Sequence, residues 1–323
     1  MLLTVVFSSR NEEDVLEKTI SEVSDVLEKN NIDYELIFVN DNSTDRSLQI
    51  LKTWSGRDSR IRVINMSRRF GVSPCVMAGF RFSQGDAVIY MDTDLQDPPE
   101  LIPKMVELYR NGADVVHTVR TKRIGETAVK IWITKLAYKI INRLSDIQLI
   151  ENAGDYKLLS RRVVDEIVKL NEYQPYTRGL IPWIGFRQEA ISYERRARYA
   201  GKTKFSLVKS AGPFNEFIKG LTAFSEFPLY ASLFVGFIVA IGAFIYLGVI
   251  VITKIYGLNL PGWSAIMGII LLLGGITLIT NGFIGIYIGR IFNNVKGRPS
   301  YIISDTIGFE EEKDLPTKDS RQA

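Results

Sequence analysis

Two stretches of this chain, Leu229 to Ile252 and Ser264 to Gly289, contain no charged residue. Each exceeds the ~20 apolar residues that cross a hydrocarbon core of about 30 Å, so both are expected to be transmembrane helices forming a hairpin. The other reading is a pair of buried core helices. Residues 1–225 have the mixed composition of a charged globular domain, so the expected order is a domain over 1–225, a membrane hairpin within 226–290 and a C-terminal tail over 291–323. The tail is polar from Ser304 onward, carries Glu310 to Glu312 and has no apolar period, which predicts disorder.

The net charge of +4 matters through its placement. Arg195, Arg196, Arg198, Lys202, Lys204, Lys209 and Lys219 precede the first apolar run, and Arg290, Lys296 and Arg298 follow the second. The connecting loop from Thr253 to Trp263 has only Lys254. This asymmetry predicts both termini in the cytoplasm, the loop outside and a multi-pass protein of the plasma membrane. Met1 to Phe7 is too short for a signal peptide and lacks a basic flank, so the N-terminal domain is expected to stay cytosolic. Cys75 is the sole cysteine and His117 the sole histidine, which excludes an internal disulfide framework and argues against a histidine metal site or a Ser-His-Asp triad. No nucleic-acid partner is expected.

Within the first domain, Leu2 to Phe7 is a continuous apolar run that reads as a central strand. Leu16, Ile20, Val23 and Leu27 then recur at helical spacing. Tyr34 to Val39, Arg62 to Asn65, Ala87 to Met91 and Asp114 to Val119 read as further strands, and about Arg46 to Ser55 and Glu100 to Asn111 as helices. The alternation predicts an α/β fold with a mostly parallel sheet covered on both faces. Ligands of such sheets bind beyond the carboxyl ends of the strands, where the loops Ser8 to Glu12, Asn40 to Asp45 and Asp92 to Gln96 should meet.

The acidic stretch YMDTDLQDPPE, Tyr90 to Glu100, carries the chemistry. If extended backbone continues through it, Asp92 and Asp94 lie on one side, roughly 6 to 7 Å apart, and can converge on a hard divalent cation. Mg²⁺ or Mn²⁺ suits them, with a diphosphate completing the coordination. The same acids could instead only cap a helix. In VNDNSTD, Val39 to Asp45, the Asp41 carboxylate stands where it could accept from a base imide or a ribose hydroxyl, or could cap the next helix; Ser43 or Thr44 is the favoured cap. No G-x-G-x-x-G follows the first strand and no P-loop motif occurs, which argues against dinucleotide cofactors and P-loop chemistry.

Between Lys122 and Leu144, Val129, Trp132, Ile133, Leu136 and Ile140 form an apolar stripe flanked by Lys135, Lys139 and Arg143, with Lys130 and Thr134 on another face. This suits an interfacial helix over about 122–145 on an anionic bilayer, or a core-facing helix with a charged edge. Gly201, between Arg198 and Lys204, would let that loop fold over phosphate oxygens. Small residues in the hairpin, Gly236 with Ala240 and Gly285 with Gly289, favour close helix packing within it or between copies, and a homo-oligomer is expected.

The segments VNDNSTD, MDTDLQDPPELIP, ENAGDYKLLSRRVV, RGLIPWIGF and IGRIFNNVKGRPSYII occur in this order. Together they resemble glycosyltransferase family 2, in the polyisoprenyl-phosphate branch of bactoprenol glucosyltransferases, with dolichyl-phosphate mannose synthases as cousins. The resemblance runs to about Ile303. It implies a GT-A, Rossmann-like catalytic domain that inverts the anomer, uses a nucleotide sugar such as UDP-glucose, and loads undecaprenyl phosphate or a similar polyisoprenyl phosphate. GDP-mannose or a UDP-aminopentose are alternative donors, and a non-catalytic scaffold or a lipid flippase is the reading from another class. Carried onto matching positions, the resemblance makes Glu12, Asp41 and Asp92 nucleotide contacts, with Ser9 and Arg10 as further candidates. It makes Asp92, Asp94 and Gln96 metal or diphosphate ligands, and Asp94 and Asp155 the catalytic pair, Asp155 at the sugar. Arg120, Lys130, Thr134 and Arg198, joined by Lys135 and Lys204, would approach the lipid phosphate. Two departures stand out: SSRNE at Ser8 to Glu12 lacks the family's usual proline, and Arg69 replaces a common asparagine.

Overall fold

A computed structural model of the chain describes residues 1–121, 139–145, 147–148, 150, 153–170, 172–173, 175–196, 220–257 and 262–309. An eight-stranded sheet organises the first domain. Its strands are β1 (Leu2–Ser9), β2 (Asp33–Asn40), β3 (Ile61–Met66), β4 (Ala87–Asp92), β5 (Val115–Arg120), β6 (Ala153–Ser160), β7 (Gln188–Tyr193) and β8 (Ile303–Ile307). The spatial order is β7-β5-β6-β4-β1-β2-β3-β8. β1 pairs in parallel with both β2 and β4, β2 with β3, and β5 with β7, while β6 and β8 run antiparallel to their neighbours. This is the mostly parallel α/β sheet expected of a GT-A domain.

Helices cover both faces because the buried strands are apolar on both sides. On one face α1 (Leu16–Lys29) and α4 (Ile102–Arg110) bury Leu16, Ile20, Val23, Leu27, Ile102 and Met105 against Val5, Phe7, Leu36 and Phe38. α2 (Ser47–Arg57) adds Leu51 to that layer. Phe7 and Phe38 stack there at 4.5 Å. The opposite face takes α3 (Val72–Phe82) and α5 (Arg161–Lys169), whose Val76, Phe80, Val163 and Ile167 meet Val6, Ile37, Val39 and Val88. A short helix α6 (Thr177–Trp183) places Ile181 in the same cluster.

Two long apolar helices follow, α7 (Phe227–Ile255) and α8 (Trp263–Val295), each running a little beyond the span expected from sequence. Phe227–Thr253 and Leu272–Val295 are long and apolar enough to cross a bilayer, and neither is buried within the protein. Of the expected interfacial helix over 122–145, residues 139–144 are helical, Ser145 is a bend and 122–138 lie outside the described residues.

For residues 304–307 the expected disorder is corrected by β8, while residues 310–323 lie outside the described residues. Instead of a disordered tail from Ser304, residues 303–307 add an antiparallel strand to β3, with Asn65 opposite Asp305 and Val63 opposite Ile307. Phe309 fixes the strand edge-on against Phe82 at 5.5 Å, with the Arg62 guanidinium 5.3 Å from its ring. The strand covers an edge that β3 would otherwise leave unpaired, and it returns to the catalytic domain after the apolar hairpin.

Two glycines distinguish tight from open packing. A Cβ on Gly79 in α3 would lie 2.2 Å from Val6 Cγ1, whereas one on Gly56 in α2 would meet nothing within 4 Å. G79A should lower unfolding free energy by about 1–3 kcal/mol, and G56A should raise it by about 0.5–1 kcal/mol. Urea unfolding of the detergent-purified full chain reads both, and equal signs would refute this packing.

Candidate functional site

The register of the central strands builds the site. Ser8 lies beside Asp92 and Ser9 beside Asn40, so the loops that leave β1, β2 and β4 start from one edge. The first two are laced together. Asn11 N donates to Ser43 Oγ at 3.0 Å, Thr44 N to Asn11 Oδ1 at 2.8 Å, and Glu12 N to Ser47 Oγ at 2.9 Å. Asn11 and Asn42 hold φ of 51° and 52°, a left-handed conformation that asparagine tolerates better than most side chains. The cap of α2 is neither Ser43 nor Thr44: the Asp45 carboxylate accepts from Ser47 N at 3.0 Å and from Glu13 N at 3.2 Å. Those two hydroxyl residues are engaged with Asn11 instead.

Asp41 is 4% exposed, and its two carboxylate oxygens accept from the backbone N–H groups of Phe70, at 2.6 Å, and Gly71, at 3.0 Å. It therefore secures the lead into α3, not α2. Gly71 has φ 95°, which explains a glycine there. The buried Cys75 thiol also hydrogen-bonds this carboxylate. Arg10 Nη1 donates to the Asp41 carbonyl at 3.3 Å. Ser9 is fully buried and its hydroxyl points to the Val39 carbonyl at 3.5 Å, into the sheet. Arg69 is exposed just before the two amides that bind Asp41.

At the end of β4 the chain turns at Thr93–Asp94, so strand alternation stops at Asp92. Asp94 is 7% exposed and accepts from Gln96 N at 3.2 Å; Leu95 has φ 54°. Thr19 in α1 donates to the Thr93 carbonyl at 2.7 Å, tying this loop to the helical layer. Tyr90 donates its hydroxyl to Asp92 Oδ1 at 3.1 Å. Burial, then the charges of Asp155, Asp97 and Asp94, push Asp92 up to about 7. Such a surplus of hard oxygen donors fits a divalent cation. Among the described residues no three His, Cys, Asp or Glu side chains converge to hold one unaided.

Asp97 lies in the acidic stretch Tyr90 to Glu100, with nothing in the sequence to give it a role of its own. It is 1% exposed, receives the Tyr193 hydroxyl, and lies 3.7 Å from Arg120 Nη2 and 3.6 Å from Arg195 Nε. Arg120 passes directly over Gly154, where a Cβ would lie 3.0 Å from Nη2. Of the six residues expected at the lipid phosphate, Arg120 is the described one; Lys130, Thr134, Lys135, Arg198 and Lys204 lie outside the described residues. Arg196 N donates to the Gln96 carbonyl at 3.0 Å, bringing the chain after β7 against the acidic loop.

Asp155 lies on β6 and pairs with Arg178 through two hydrogen bonds, from Nε at 2.7 Å and from Nη2. Burial alone would raise its carboxyl, but the charge and hydrogen bonds of Arg178, with Lys157 and Arg120 behind, hold it at about 2. The sequence offers Arg178, with Gly179, only as part of the basic flank ahead of the apolar helices and of RGLIPWIGF; its pairing with Asp155 is not legible there. Lys157 stands between Tyr90 and His117 in the sheet, and its burial lowers it to about 8. Burial and the nearby Lys157 charge lower His117 to about 4, while Nε2 pairs with Gln188 at 2.8 Å.

His117 makes stability depend on pH. Its folded value lies below the ~6.5 of an unfolded chain, so between the two the unfolded state holds the extra proton and stability falls as pH drops. From pH 7 to 5 this residue should cost on the order of 2 kcal/mol of unfolding free energy, and H117N should remove that share of the slope. Urea titrations at both pH values measure it; identical slopes would contradict a neutral buried imidazole.

Comparison with known proteins follows the same outline. Residues 4–168 match the family described as glycosyl transferase family 2. The uncharacterized glycosyltransferase YkcC of Bacillus subtilis is 39% identical over 311 residues, covering 96% of this chain and 95% of its own. The bactoprenol glucosyl transferase of Shigella phage SfII is 36% identical over 304 residues, covering 94% and 97%. Among solved structures, glucosyl-3-phosphoglycerate synthase from Mycobacterium tuberculosis, in complex with Mn²⁺, UDP-glucose and phosphoglyceric acid, is similar with a TM-score of 0.47 at 20% identity, over 69% of this chain and 79% of that one. With a family match over its N-terminal half and relatives at these identities along nearly its whole length, the chain belongs to glycosyltransferase family 2, in the polyisoprenyl-phosphate branch, and is a glycosyltransferase.

Proposed function

We propose that the protein transfers a hexose, with UDP-glucose as the first-choice donor, onto a polyisoprenyl phosphate such as undecaprenyl phosphate at the cytoplasmic face of the plasma membrane. The observation that carries this reading is the meeting of the Asp92–Asp97 loop with Asp155 at one sheet edge, in a chain that also bears two helices of bilayer length. The bactoprenol glucosyl transferases among its relatives support the lipid acceptor. GDP-mannose and a UDP-aminopentose are the competing donors.

Asp92, Asp94 and Gln96 would hold Mg²⁺ or Mn²⁺, which supplies positive charge against the departing diphosphate. The Asp41–Asp45 and Arg10–Glu12 loops would bind the nucleotide. A non-bridging oxygen of the acceptor phosphate attacks the anomeric carbon as the bond to the diphosphate oxygen breaks, its electron pair leaving with the nucleoside diphosphate, and one such displacement inverts the anomer. A phosphate monoester has a second pKa of about 6, so the nucleophile is already ionised at neutral pH. A carboxyl held at about 2 is also a poor proton acceptor, so Asp155 acts by charge and position at the developing oxocarbenium centre and not as a base. Arg178 fixes its plane. Arg120, held by Asp97 and Tyr193, would meet the acceptor phosphate.

Membranes containing the protein, given a panel of radiolabelled nucleotide sugars and undecaprenyl phosphate, should yield lipid-extractable label from one donor, abolished by a chelator. No label from any donor with metal present would favour a scaffold or flippase. D155N should lower kcat about 100-fold with donor affinity within about threefold. Loss of donor binding with turnover of bound donor intact would overturn the role given to Asp155.

A further inference from the structure

A row of polar residues crosses the sheet at its carboxyl edge. Asn40 of β2 is the register partner of Asn65 on β3, and Asn65 that of Asp305 on β8. Their side chains form a continuous relay. Asn65 Nδ2 donates to Asp305 Oδ1 at 2.8 Å, and Asn40 Nδ2 donates to Asn65 Oδ1 at 2.7 Å. Asn40 Oδ1 accepts from Ser43 Oγ at 2.5 Å and from Ser43 N at 3.3 Å, and Ser43 Oγ in turn accepts from Asn11 N. Asn40 is 1% exposed, so its orientation is fixed by these partners and not by water.

The relay has a polarity, held at one end by the Asp305 carboxylate and at the other by the Ser43 N–H. An amide can present either its oxygen or its NH₂ to a neighbour, whereas a carboxylate only accepts. With Asp305 at the end, Asn65 must turn its NH₂ outward and its oxygen to Asn40. Asn40 must then turn its oxygen to Ser43, the group that links the loops after β1 and β2. Without that acceptor the orientation of both amides would rest on the Ser43 N–H alone, through one bond of 3.3 Å.

We propose that Asp305 is a positioning residue of the donor site, fixing the amide orientations of Asn65 and Asn40 and thereby the loops Asp41–Asp45 and Arg10–Glu12. This rests on the reading above that those loops hold the nucleotide. Seven residues separate the end of α8 from the start of β8, so in this proposal the segment leaving the apolar hairpin bears on the geometry of the donor loops.

The test uses the detergent-purified full chain. In D305A, hydrogen exchange of the Asn11, Ser43 and Thr44 amides should accelerate about 3- to 10-fold, and the Kd for UDP with Mn²⁺ should weaken by a similar factor, the expected weight of one lost hydrogen bond. kcat at saturating donor should stay within about twofold. N65D added to D305A should restore both readouts, because the carboxylate it introduces would itself be an acceptor-only end one step further in. S304A, on the same strand, should change neither. Unchanged exchange in D305A, or failure of N65D to rescue it, overturns the relay; the latter leaves Asp305 with a role in docking β8 alone. If exchange responds and is rescued but the wild type binds neither UDP nor GDP, the nucleotide reading of the loops falls and the relay stands.

Discussion

Like charges brought together at one edge of a sheet impose the central constraint on this molecule. Asp94, Asp97 and Asp155 all act electrostatically on Asp92. Two unit charges about 4 Å apart in a partly buried setting repel by about 4 kcal/mol, so four carboxyl groups require counter-charge. The fold supplies part of it: Arg178 answers Asp155, and Arg120 and Arg195 flank Asp97. Asp92 instead receives the neutral Tyr90 hydroxyl, and its carboxyl is raised to about 7. In the proposed function, that residual deficit of positive charge is what would draw a cation to the edge and, through it, an anionic leaving group.

Much of the scaffold was legible because local rules governed it. β1, β2 and β4 are short apolar runs, and the spacing of Leu16, Ile20, Val23 and Leu27 declares α1. Asp41, Asp92 and Asp94 could be placed because ligands of parallel sheets gather past the strand ends. The illegible parts were set by long-range pairing or by uniform burial. α3 buries Cys75 through Phe80 without an amphipathic period. β6 carries Asp155 and Lys157 on a segment that looks like a loop until its antiparallel pairing with β4 is known. β8 is polar because it lies at an edge, and composition mistakes it for tail. Asp97 and Arg178 acquired their roles only through partners far along the chain, Tyr193 and Asp155.

The same long-range pairing joins the two halves of the proposed chemistry. The strand that closes the sheet follows the apolar hairpin, and the chain after β7 meets the acidic loop through Arg196 and Gln96. Segments flanking the apolar helices are therefore fastened to the loops that would bind donor and metal, which suits the proposed enzyme, whose acceptor head group would arrive from the bilayer.

A manganese titration followed by electron paramagnetic resonance, on the full chain with UDP present, tests the central claim most directly. One tight site, displaced by Mg²⁺ and lost in D92N and D94N, is the predicted result. Manganese held with undiminished affinity by D94N would contradict it.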